Sequence, residues 1–170
     1  MVNKKRIVNI YYCGDTMNYK PTKTTTQILT SVINNPPCSY AFIKGDNHIE
    51  GTVCFYPFLL GSIMLYEIKN LPDDKKGIFA FHIHSGKNCQ DVQTHYNPTN
   101  KLHPYHIGDL PPIFSSCSLG WSMVYLDKID CREIVGKTIV IHGDKDDFTT
   151  QPSGNPGRMI ACGVIEKFHN

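Results

Sequence analysis

The feature that most constrains this chain is a succession of short runs rich in β-branched and aromatic residues, cut apart by Gly, Pro, Asn and Asp. In order they are SYAFIKG, HIEGTVCFY, GSIMLYEIKNL, GIFAFHIH, GWSMVYL, KTIVIHG and ACGVIEKF. Several alternate apolar with polar residues, the period of a strand with one buried face. No amphipathic helix of three turns competes with them, and there is no internal repeat. Short strands at this spacing predict an all-β sandwich or barrel. With 170 residues and 41% hydrophobic content, one domain of this kind can bury a full core.

The pattern begins only after Pro36-Pro37. Residues 1–37 read as an N-terminal extension, and 38–170 as the β-domain. The segment PTKTTTQILTSVINNPP is rich in Thr, Asn and Pro, and its ILTSVI patch is ambiguous between strand and helix. Lys4, Lys5 and Arg6 read as a solvated end. The first twenty residues are basic but lack a continuous apolar stretch, because Asn9 and Cys13-Gly14-Asp15 interrupt it. No secretory signal is therefore expected. No run is long and apolar enough to span a bilayer, and the expected location is cytoplasmic. A formal net charge of +2 is too mild to argue for a nucleic-acid partner.

Seven cysteines occur, none in a C-x-x-C pair, which argues against a zinc ribbon or a thioredoxin-like motif. Reduced thiols are the default for a cytosolic chain. Trp121, Phe81 and Tyr125 read as core.

Two stretches do not read as strands: a long one from Ser85 to about Ser118, and a short one from Gly143 to Met159. A structureless loop of such length inside a compact domain tends to be functional. It carries THYNPTNKLHPYHIGDLPP. Of eight histidines, six form a pattern: His82 and His84 in FHIH, His95, His103 and His106 with Asp109 in the long loop, and His142 closing TIVIHG. Residues i and i+2 of a strand share a face, so His82 and His84 project together. Four imidazoles suit Cu(II), and three imidazoles with a carboxylate suit zinc. Six histidines and one aspartate make seven ligands where two four-ligand sites need eight. One histidine shared between both metals completes the count. His48 and His169 fall outside the pattern and read as ordinary polar residues.

The ordered elements FHIH, THYNPTNKLH, HIGDL, VIHGDKDD and GNPGRMIACGVI resemble the copper/zinc superoxide dismutase family over roughly Ser39 to Phe168. HPYHIGDLPP and DDFTTQPSGN are most similar to its bacterial branch with shortened loops. The resemblance implies an eight-stranded Greek-key β-barrel. It implies copper on His82, His84, His95 and His142, and zinc on His95, His103, His106 and Asp109, with His95 as the bridge. It places at Asp146 the carboxylate that joins a copper histidine to a zinc histidine, and it implies a Cys89–Cys162 disulfide that persists in the cytosol. Cys13, Cys38, Cys54, Cys117 and Cys131 receive no role. The implied reaction converts superoxide to dioxygen and hydrogen peroxide, and a homodimer is a candidate assembly.

The family's channel arginine aligns with Met159, and Arg158 stands one position earlier. Arg158 is the candidate for its role, with Lys87 and Lys145 as further sources of positive potential. The alternative to a dismutase is a copper/zinc-binding module with little or no turnover.

Overall fold

The computed structural model describes residues 27, 30, 32–73 and 77–169. The chain divides into two units, Met1–Pro36 and Pro37–Asn170. In the first, Thr30, Val32 and Ile33 from the ambiguous ILTSVI patch are helical. Lys4, Lys5, Arg6 and Cys13 lie outside the described residues.

Among the described residues of the second unit, nine strands form one antiparallel sheet. They are β1 (Ser39–Gly45), β2 (Glu50–Phe58), β3 (Gly61–Lys69), β4 (Ile78–Phe79), β5 (Phe81–His84), β6 (Ile113–Ser116), β7 (Leu119–Leu126), β8 (Thr138–His142) and β9 (Met159–Lys167). All seven runs expected as strands are strands. Their order across the sheet is β4-β6-β7-β3-β2-β1-β9-β8-β5. The two ends of that order, β4 and β5, are separated in sequence by Ala80 alone. The sheet must therefore curl until its ends meet, which makes it an almost closed barrel. The ninth strand, beyond the expected eight, arises at the same place. The run GIFAFHIH pairs with β6 before Ala80 (Phe79 opposite Ile113) and with β8 after it (Phe81 opposite Ile141).

β6 lies inside the long stretch expected to contain no strand. Its hairpin to β7 turns through Cys117 (φ 50°) and Ser118 (φ 60°). A two-residue hairpin turn with both residues at positive φ favours Asn-Gly or Asp-Gly. Cys-Ser carries no such signal, so the hairpin is hidden in the sequence.

The barrel interior is apolar. Val53, Phe55, Met64, Phe79, Phe81, Ile83, Ile113, Ile139 and Ile141 are fully buried in one cluster. β5 and β8 are buried at every residue, so their outer faces are covered too. Phe81 and Ile83 belong to the core, which turns His82 and His84 to the outside of the barrel.

Trp121 is not core as expected; it is 59% exposed, and Tyr125 is half-buried. β7 reverses the usual pattern, with Gly120 facing inward. A Cβ on Gly120 would lie 2.6 Å from Ile113 Cγ2 and 3.0 Å from Leu71 Cδ1. The large side chains of the facing elements already fill that space, so the tryptophan beside it must point out. Gly120→Ala should therefore destabilise the protein by about 1–3 kcal/mol through overpacking. Trp121→Thr should stay within about 0.5 kcal/mol. Denaturant midpoints of the two variants test the pair.

Candidate metal centre

β5 is the last strand in the sheet order, and an uncovered edge of this kind is a liability. The long loop after it covers that edge. Ile83 donates to the Gly108 carbonyl (2.8 Å) and accepts from the Tyr96 amide (2.7 Å), while Ser85 donates to Thr94 O (2.8 Å). His84 and His95 thereby lie opposite each other, as do His82 and Asp109. From the other side β8 brings His142, with a bulge between Ile141 and His142. Bulges re-aim a side chain. His82, His84, His95 and His142 form one group and His95, His103, His106 and Asp109 a second; within each, one donor atom per residue lies within 4.8 Å of all the others. His95 belongs to both groups. The structure thus brings together all seven ligand candidates.

The nitrogens show what the first group can do. Its members are 0–8% exposed, and in each one nitrogen is used for positioning. His84 Nδ1 lies 2.8 Å from the Gln93 carbonyl, His142 Nδ1 3.2 Å from the Gly157 carbonyl, and His82 Nε2 2.8 Å from Asp146 Oδ2. A carbonyl only accepts, so His84 and His142 carry their proton on Nδ1 and present a lone pair at Nε2. The remaining atoms, His82 Nδ1, His84 Nε2, His95 Nε2 and His142 Nε2, are buried without a hydrogen-bond partner. Buried unpaired acceptors are costly. Four imidazole lone pairs gathered within 4.8 Å of one another suit Cu(II).

In the second group His95 Nδ1 lies 2.7 Å and His106 Nδ1 3.2 Å from Asp109 Oδ1, and Asp109 Oδ2 accepts from the His106 amide at 2.9 Å. His103 Nδ1 is 3.2 Å from Asp109 Oδ2 but out of hydrogen-bonding alignment. Three imidazoles and a carboxylate suit a closed zinc site. Burial alone would raise the Asp109 carboxyl, but hydrogen bonds from His95 and the His106 amide outweigh it and hold it at about 2.

Asp146 joins the groups. Its Oδ2 meets His82, and its Oδ1 meets His103 Nε2 at 2.9 Å and accepts from the Phe148 amide at 2.6 Å. Gly154 (φ +76°) packs against both partners; a Cβ there would lie 2.0 Å from Asp146 Oδ1 and 2.6 Å from His103 Nε2. Gln151, which sequence reasoning passed over, clasps the His103 backbone at both ends. Its Oε1 accepts from the His103 amide (3.1 Å) and its Nε2 donates to the His103 carbonyl (2.7 Å).

Cys89 and Cys162 are bonded, with Cα atoms 5.9 Å apart, so the loop is also fixed to β9. Arg158 is exposed; its guanidinium is paired with Asp46 in the β1–β2 turn and also donates to Met159 O at 3.3 Å. Met159 lies opposite His142 across β8 and β9. Lys87 and Lys145 are exposed.

A profile of the family described as copper/zinc superoxide dismutase matches residues 49–165. The chain belongs to that family. The Cu-Zn superoxide dismutase of Cryptococcus neoformans var. grubii is 31% identical over 145 residues, covering 72% of this chain and 93% of its own. That of Yarrowia lipolytica is 33% identical over 148 residues, covering 74% and 94%. Cu-Zn superoxide dismutase 1 of Aquifex aeolicus is 31% identical over 126 residues, covering 62% and 73%. Copper and zinc are the metals of this family, and the two donor sets fit them.

Burial, reinforced by the neighbouring imidazoles, holds the His82 ring down at about 3; burial holds His84 at about 4 and lowers His142 as well. In the unfolded chain these rings titrate near 6.5. Between the two values the unfolded state binds protons that the folded state refuses, so stability falls as pH falls. The denaturation midpoint of the metal-free protein should be level above about pH 7 and decline below about 6.5, with a further decline as the pH drops through the ordinary carboxylate range toward the value of Asp109. Urea titrations across pH test this. A midpoint unchanged from pH 7 to pH 4 would contradict neutral buried imidazoles.

Proposed function

We propose that the protein dismutates superoxide to dioxygen and hydrogen peroxide, with copper on His82, His84, His95 and His142 and zinc on His95, His103, His106 and Asp109. One observation carries this reading. Four buried imidazole nitrogens without a protein partner converge on one point, and one of those imidazoles also faces a second ligand group. When bound, copper supplies one-electron redox chemistry, and zinc, which has none, supplies a fixed charge.

The chain's own residues do the rest. Carbonyls of Gln93 and Gly157 fix the tautomers of His84 and His142. Asp146 keeps His82 and His103 in a common frame. His95 faces the second group through Nδ1, which leaves Nε2 as the atom that takes up a proton and hands it to the departing peroxide. Covering loops and the Cys89–Cys162 bond keep this frame from opening.

A second reading, a metal-holding module with little turnover, draws on Met159 and Arg158. The thioether opposite His142 offers an anion neither charge nor a strong donor. Arg158 could supply both, but its pairing with Asp46 cancels its charge at a distance. Exposed pairs of this kind are worth only about 0–1 kcal/mol, so the guanidinium can swing away; its steering is weak rather than absent.

Elemental analysis after reconstitution should give one copper and one zinc per chain, and His82→Ala should lose copper. Zinc alone in the native protein, with copper content unaffected by His82→Ala, would count against the assignment. Met159→Arg should raise the dismutase rate about tenfold at low salt, the lower end of electrostatic steering. That gain should shrink as salt shortens the screening length toward about 8 Å at physiological ionic strength. Arg158→Ala should change the rate little. No activity in the native protein and in Met159→Arg, both carrying copper, would favour the metal-holding module.

A further inference from the structure

Two further cysteines, on segments that carry none of the ligand candidates, pack on the same core. Cys38 stands just before β1, where its amide donates to the Phe55 carbonyl (2.8 Å) and its carbonyl accepts from the Phe168 amide (3.1 Å). Cys131 lies in the connection from β7 to β8, and its carbonyl accepts from Ser39 Oγ at 2.8 Å. The backbones of both cysteines are therefore pinned, and pinned to adjacent points. Cys131 is 1% exposed and part of the core; Cys38 is half-buried and packs against the same core. Ser39, the residue after Cys38, thus ties the two segments together, and the Cys131 thiol lies near enough to that of Cys38 to feel it electrostatically.

We propose that Cys38 and Cys131 form a second, oxidisable cysteine pair, a modification site for hydrogen peroxide separate from the Cys89–Cys162 bond. The half-buried Cys38 is where oxidation starts. Its sulfur attacks a peroxide oxygen; an S–O bond forms, the O–O bond breaks, and the departing hydroxide leaves as water with the thiol proton. The Cys131 sulfur then attacks the Cys38 sulfur. An S–S bond forms, the S–O bond breaks, and hydroxide leaves as a second water with the Cys131 proton. Two thiols and one peroxide become one disulfide and two waters; sulfur is oxidised and peroxide reduced.

Burial sets the order of these events. Cys131 is out of reach of solvent, and burial, reinforced by its contact with Cys38, pushes its thiol up to about 12. Peroxide arriving from solvent therefore meets Cys38 first. Cys131 serves as the resolving partner because it lies beside Cys38 in the same core. Peroxide is also the product of the proposed reaction, but the pair stands without that reading, since added peroxide serves equally.

The test treats the full-length chain with hydrogen peroxide, blocks remaining thiols, and maps peptides without reduction. A peptide linking Cys38 to Cys131 is expected, with both thiols lost together. In Cys131→Ser, Cys38 should accumulate as a sulfenic acid that a dimedone probe captures; in Cys38→Ser, Cys131 should stay unmodified. The proposal is overturned if both thiols still alkylate fully after oxidation and denaturation. It is also overturned if Cys38 links instead to Cys13, Cys54 or Cys117. Because the wild-type map alone decides between these results, a variant that fails to fold leaves the test intact. Dismutase activity is not read, so failure here is distinct from failure of the proposed function.

Discussion

The Asp146 carboxylate is the interaction on which the metal centre turns. It holds His82 through one oxygen and His103 through the other, and so joins the strand-borne ligand group to the loop-borne one. Its position depends in turn on a short, self-bonded turn. Asp147 Oδ1 accepts from the amides of Thr149 and Thr150, Thr150 Oγ1 donates to Asp147 Oδ2, and the Asp147 amide donates to Gly154 O. Gln151 in the same turn grips the His103 backbone. The turn therefore holds His103 by side chain and main chain at once. Few residues are needed, because the amides of Asp147, Phe148, Thr149, Thr150 and Gly154 are already paired locally.

The barrel and the site are solutions to one geometric problem. Closing the sheet brings β4 and β5 together around Ala80, yet it leaves the other edge of β5 to be covered. The long loop does this by backbone pairing, and the pairing sets His95 beside His84 and Asp109 beside His82. Edge protection and ligand assembly are the same contacts. That is why β5 is buried on both faces although it ends the strand order.

Much of this was legible in the sequence, for physical reasons. Strand runs show because alternation and turn residues are local signals, and the ligand set shows because His and Asp carry a chemistry that spacing can count. What was illegible depends on neighbours far along the chain. Trp121 reads as core by composition, but whether a β7 residue faces inward is decided by Leu71, Tyr66 and Ile113, which leave room for no more than Gly120. β6 was hidden because its turn uses Cys117 and Ser118 in place of the Asn-Gly or Asp-Gly pair that marks such a hairpin. Gln151 has no spacing relative to His103 that a reader could count; the two are 48 residues apart. Gln93 and Gly157 act through main-chain carbonyls, which every residue possesses. Cys38 and Cys131 are likewise unremarkable as single cysteines, and only the fold makes them a pair.

Holding metal and drawing in an anion place different demands on a chain, and this one meets them unequally. Ligand placement depends on short contacts in a water-poor interior, where a hydrogen bond or an unpaired nitrogen counts strongly. All those contacts are present and mutually supporting. Steering depends on exposed charge acting over several ångströms of water, where an adjacent opposite charge removes most of the effect. Arg158 has such a neighbour in Asp46, and Met159 adds no charge of its own. On the proposed reading, the interior of the site is thus built to a tighter specification than its approach, and the two would vary independently: a charge placed near Met159 would alter how often an anion arrives without touching the frame that Asp146 holds.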